Sequence, residues 1–179
     1  TTRLPVISVY GDGRVITQGP TTLVYPGPAL PNLQVETISA TEVENLVEQA
    51  LAAGVGTDPD LGSPPIADAA STRFTVRHAT GVEELEVYAL AEAADVDSGL
   101  SADQRAARDK LREFADSLTG GSGPASGSVG GAAGTATQPY VPVTVAAVAE
   151  PWVAGGEEMT QPEVAWPGPE RPGEPLTKT

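Results

Sequence analysis

Cysteine is absent from the 179 residues, histidine occurs once, and aromatic residues make up 4%. Without cysteine there is no disulfide framework, no thiolate nucleophile and no Cys-ligated zinc or iron–sulfur site. Positive charge is scarce: 10 Lys and Arg stand against 24 Asp and Glu, a formal charge of −14. Neutralising a phosphate backbone needs clustered basic side chains, so a sequence-independent nucleic-acid binder is excluded. Long apolar runs are missing too. The longest, Val141 to Ala149, is broken by Pro142 and Thr144 and falls far short of the roughly 20 residues of a spanning helix. No basic segment followed by an apolar one opens the chain. It starts at Thr1, so a processed or partial chain is expected, and any lipid-bearing cysteine would lie upstream.

Glycine and proline are abundant instead, 20 and 17 residues, about a fifth of the chain against roughly 12% in average soluble proteins. Val6 to Tyr10 and Val15–Ile16 flank Gly11-Asp12-Gly13 and predict a β-hairpin with a two-residue turn at Asp12-Gly13. That turn sets Val9 opposite Ile16 and Tyr10 opposite Val15. Pro20, Pro26, Gly27, Pro28 and Pro31 make Gly19 to Pro31 a stiff loop, with Tyr25 and Leu30 expected to pin it to the body. Leu33 to Ile38 reads as a third strand.

A helix follows, with Ser39 as N-cap, Glu42 completing a capping box, and Ile38 with Val43 as hydrophobic staple. Val43, Leu46, Val47, Ala50 and Leu51 form its apolar stripe, and Gly54 stops it. A second hairpin, Thr72 to His78 and Glu83 to Leu90, turns at Thr80-Gly81. It pairs Phe74 with Val87 and Val76 with Leu85 on one face, and Arg77 with Glu84 and Arg73 with Tyr88 on the other. A second helix begins at Ser101 with Gln104 as capping-box partner, buries Ala107, Leu111, Phe114 and Leu118, and ends at Gly120. Arg105, Arg108, Lys110 and Arg112 fall mostly off that stripe and predict a local positive surface.

Thr119 to Gln138 holds 7 Gly and one large apolar residue, Val129. It buries too little to offset its ordering entropy and reads as a linker. Tyr140 to Ala149 reads as a returning strand. Both Trp residues, Trp152 and Trp166, lie in the tail among six prolines. The expected class is α+β: an antiparallel sheet of two hairpins plus extra strands, covered on one face by two helices. The expected division is a domain over residues 3–118, a linker over 119–138, the strand over 139–149 and the tail over 150–179.

Val9-Tyr10-Gly11-Asp12-Gly13-Arg14-Val15-Ile16 resembles the opening of exported or lipid-anchored proteins of high-GC Gram-positive (actinobacterial) bacteria. Tyr25-Pro26-Gly27-Pro28-Ala29-Leu30-Pro31, Ile66-Ala67-Asp68, Tyr88-Ala89-Leu90 and Gly99-Leu100-Ser101-Ala102-Asp103-Gln104-Arg105 are similar in the same way, so the likeness spans about Leu4 to Leu118. It brings no catalytic residue with it and implies a location outside the cytoplasmic membrane, on its outer face.

Candidate chemistry is thin. Asp58 and Asp60 flank Pro59, with Asp68 close by, and carboxylates of this kind suit a hard cation, but the spacing is not that of an EF-hand loop and turn-shaping explains them. Asp12 is accounted for by its turn. His78 has no designated nucleophile and sits opposite Glu83, as in a surface ion pair. Ser101 is a cap, and no Lys-Ser/Thr follows the glycines as a phosphate loop requires. No catalytic residue, metal site or cofactor emerges.

In the tail, prolines lower the entropy lost on binding and Trp is a favoured anchor. Trp152, Trp166 and Tyr140 are therefore the expected partner-docking residues, against the plainer reading of a loosely packed terminus. The reading that follows is a non-enzymatic extracytoplasmic accessory protein whose partner is a protein in a larger membrane or envelope complex. A respiratory complex is one such host, chosen from setting and not from any residue. The alternatives are a free or lipid-anchored module for a small ligand or cation, and a hydrolase with an unrecognised site, which joint substitution of His78 and Asp68 would test.

Overall fold

The computed structural model describes residues 4–24, 28, 30–94, 99–119 and 136–144. The expected α+β class is present. Strands β1 (Ile7–Val9) and β2 (Arg14–Gln18) pair antiparallel, with Val9 opposite Val15 and Ser8 opposite Ile16. The expected register is therefore off by one, and the turn is the reason. Tyr10 N–H donates to Arg14 O (2.8 Å), Tyr10 O accepts from Gly13 N–H (2.9 Å), and Gly13 has φ +88°. This is a three-residue loop ending in a left-handed bulge, not a two-residue turn. The extra residue turns Val15 inward, where it is fully buried with Ile7 and Val9 packed beside it.

Strand β3 (Leu33–Thr37) pairs with β2, placing Val35 opposite Ile16. Ile38 N–H donates to Gly13 O (2.9 Å), and a Cβ on Gly13 would meet the Ile38 carbonyl oxygen. The helix α1 (Ala40–Ala52) has both bonds of its capping box: Glu42 N–H to Ser39 Oγ (3.2 Å) and Ser39 N–H to Glu42 Oε2 (2.7 Å). Its end is equally local. Gly54, at φ +112°, donates to Leu51 O, and Val55 donates to Ala50 O. This paired closure seats Val55 and Ala50 together in the core, each 1% exposed.

Strands β4 (Ser71–His78) and β5 (Gly81–Tyr88) form a hairpin whose two loop residues are Ala79 and Thr80. The expected register is off by two: Phe74 faces Leu85, Val76 faces Glu83 and Arg73 faces Glu86. A slip of two preserves side-chain faces, so Phe74, Val76, Leu85 and Val87 still point inward and are buried. The charge pairing changes instead. Arg73 Nη2 bonds Glu86 Oε2 at 2.8 Å, while Arg77 faces Val82, not Glu84.

The two hairpins occupy separate sheets, not the one expected. The first sheet runs β1-β2-β3-β6 and the second is β4-β5. The outer edge of β3 is taken by β6 (Gln138–Pro139), with Gln34 opposite Pro139 and Val35 opposite Gln138. Among the described residues the returning strand is Gln138–Pro139, and 140–144 lie outside it. Pro139 and Pro142 offer no N–H to extend a ladder, Val141 and Val143 are exposed, and 145–149 lie outside the described residues. So do 120–135 of the expected linker and 150–179 of the tail.

α1 and α2 (Ala102–Thr119) serve both sheets. Val47, Ala50, Ala107, Leu111 and Phe114 pack with the β4–β5 hairpin, and Val43, Leu46 and Leu118 pack with Val15, Ile7 and Val9. α2 starts in the expected capping box, Gln104 N–H to Ser101 Oγ (3.2 Å) and Ser101 N–H to Gln104 Oε1 (2.9 Å). The expected positive surface on α2 is corrected at Arg108, which is 1% exposed. Its guanidinium donates to Leu61 O (3.1 Å), Tyr88 O (2.6 Å) and Ala89 O (2.7 Å). Burial, and secondarily the like charge of Arg112, hold its pKa below the usual guanidinium range.

Two substitutions test these features. Gly13→Ala should lower stability by about 1–3 kcal/mol, because a Cβ meets both a left-handed φ and the Ile38 carbonyl. A denaturant midpoint equal to that of the parent would contradict this. Arg108→Ala should cost about 3 kcal/mol, since a buried acceptor left unpaired costs roughly 1–3. Arg108→Lys should recover little of it, lacking the planar fork that reaches three carbonyls, and urea unfolding of both variants reads the difference.

Candidate functional site

Proline at 20, 28 and 31 fixes φ and removes backbone donors, so the chain between β2 and β3 cannot join a ladder. It is nevertheless clamped at its base. Gly19 N–H donates to Asn32 O (2.7 Å), Asn32 Nδ2 donates to Pro20 O (2.9 Å), and Gln34 Nε2 donates to Asn32 Oδ1 (2.6 Å). Asn32 is the residue that sequence reasoning missed. Leu30, expected to pin the loop, is 48% exposed, and Tyr25 lies outside the described residues. Pro20, Thr21 and Thr22 on one limb face Pro28, Leu30 and Pro31 on the other across a shallow groove of about 480 Å³, with Asn32 at its foot.

Tyr140, the one expected docking residue within the described chain, is half-buried and donates its N–H to Leu33 O (2.8 Å). Trp152 and Trp166 lie outside the described residues. Gln18 pairs with Leu33, and Gln34 pairs with Pro139. The proline loop and residues 141–143 therefore leave the first sheet at the same end. Leu23 is wholly exposed there, and Val24, Leu30, Val141 and Val143 also face water.

Among the described residues this end carries no charged side chain. Val15 to Val35 contains no Asp, Glu, Lys, Arg or His, and neither does Ser117 to Ala149. The β3–β6 pairing joins these two longest uncharged stretches of a chain with net charge −14. That signal was present in the sequence as an absence of charge.

The other candidates resolve into local structure. Asp60 is spent on the fold: Oδ1 accepts from Gly62 N–H (3.0 Å) and Oδ2 from Gln104 Nε2 (3.0 Å). Asp58 (φ +46°) and Asp68 (φ +57°) shape exposed turns. Among the described residues no three His, Cys, Asp or Glu side chains gather as metal ligands. Asp12 accepts from Arg14 N–H (3.1 Å) and Arg14 Nε (2.8 Å), and the Arg14 guanidinium lies 5.1 Å from the centre of the Tyr10 ring.

His78 Nδ1 is 2.9 Å from Thr80 Oγ1, and Nε2 is 3.4 Å from Glu83 Oε1. The line of hydroxyl, imidazole and carboxylate sits at a hairpin tip with Thr80 exposed, so its geometry is that of a turn and a surface pair. Asp68 lies beyond the opposite end of β4 from His78, so the structure does not bring these two together.

The chain matches no protein-family model, no curated protein and no solved structure.

Among the described residues, four carboxylates titrate below their ordinary values. Asp60 is held down by Gln104 and then the Gly62 amide, and Asp12 by the Arg14 amide and then its side chain. The amide and hydroxyl of Ser39 act on Glu42, and Arg73 then Ser71 act on Glu86. Depressed folded-state values mean that this stabilisation is complete above the ordinary carboxylate range, about pH 4, and is lost as pH falls through the folded-state values. The melting temperature should therefore hold between pH 7 and about pH 5 and drop on further acidification, less steeply in Asp60→Asn. A melting temperature that rises on acidification would show the opposite linkage.

Proposed function

We propose that this chain is a non-enzymatic, extracytoplasmic accessory protein that docks on a larger membrane or envelope assembly through the uncharged end of its first sheet. The observation that carries the reading is that Leu23, Val24, Leu30, Val141 and Val143, all exposed, lie on segments that leave the first sheet at one end, whose described residues carry no charge. A monomer exposing large apolar side chains singly is ordinary, but a group of them beside a clamped loop marks a contact surface. Aromatic and proline-rich sequence, including Trp152 and Trp166, follows directly in the chain and supplies further anchors of the type that dominate interfaces. The outer face of the cytoplasmic membrane, which the resemblance drawn from the sequence implies, is the setting we propose.

The test is recovery of the full chain from native membranes in mild detergent, followed by mass spectrometry. A stoichiometric membrane complex is the expected companion. Recovery of the chain alone would overturn the docking reading.

A further inference from the structure

We draw no further inference here: the strongest candidate, the face of the first sheet turned away from the helices, where half-buried Ile16 lies opposite half-buried Val35, carries none because nothing among the described residues shows what covers it.

Discussion

A guanidinium enclosed by main-chain carbonyls is the constraint on which this fold turns. Arg108 is buried without a carboxylate partner among the described residues, and its charge is met by Leu61 O, Tyr88 O and Ala89 O. Those three carbonyls belong to the loop after α1 and to the end of β5, so one side chain fixes α2 against two segments remote in sequence. With α2 seated there, Leu111 and Phe114 lie on the hairpin and the Phe114 ring stands 6.0 Å from that of Phe74. One further turn along, Leu118 reaches the core of the other sheet. The two-stranded sheet cannot stand alone and needs a helix face to cover it, and the buried residues of the first sheet also pack on the helices. The helix pair supplies it to both.

The same neighbourhood shows how the long loop before β4 is held. The Tyr88 hydroxyl donates to Ile66 O, and Ala69 N–H approaches the same hydroxyl at 3.4 Å. Asp60 reaches Gln104 in the first turn of α2. The loop is thus stitched at Asp60, Leu61 and Ile66 to α2 and β5, which is why a stretch rich in proline and short of regular structure still contributes Val55 and Leu61 to the core.

Local chemistry was legible in the sequence and remote chemistry was not. Both capping boxes and the Gly54 stop rest on residues within five positions of each other, and the structure has each of them where expected. The hairpin registers rest on turn geometry, where Asp-Gly fits a two-residue loop as well as a three-residue one. One added residue reversed the faces of β2, whereas the two-residue shift in the second hairpin left its faces intact and only re-paired its charges. Arg108 carried no local mark at all. A charged residue beside an apolar stripe is ordinarily solvated, and only the carbonyls of Leu61, Tyr88 and Ala89, brought in by the tertiary fold, make burial favourable there. At the candidate site the sequence pointed to aromatics in the tail. The clamp by Asn32 joins residues twelve apart and emerges only from the pairing of β2 with β3.

Charge distribution links the body to the surface it presents. With a net charge of −14, most of the chain repels close approach by another acidic surface and stays well hydrated. Among the described residues, β3 and β6 bring together the two longest stretches from which charge is missing. Salt screens such a field beyond about 8 Å at physiological ionic strength, so its effect is on orientation at short range and not on distant attraction. A partner that meets the acidic faces must desolvate carboxylates, whereas one that meets the neutral end covers Leu23, Val24 and Leu30 at no electrostatic cost.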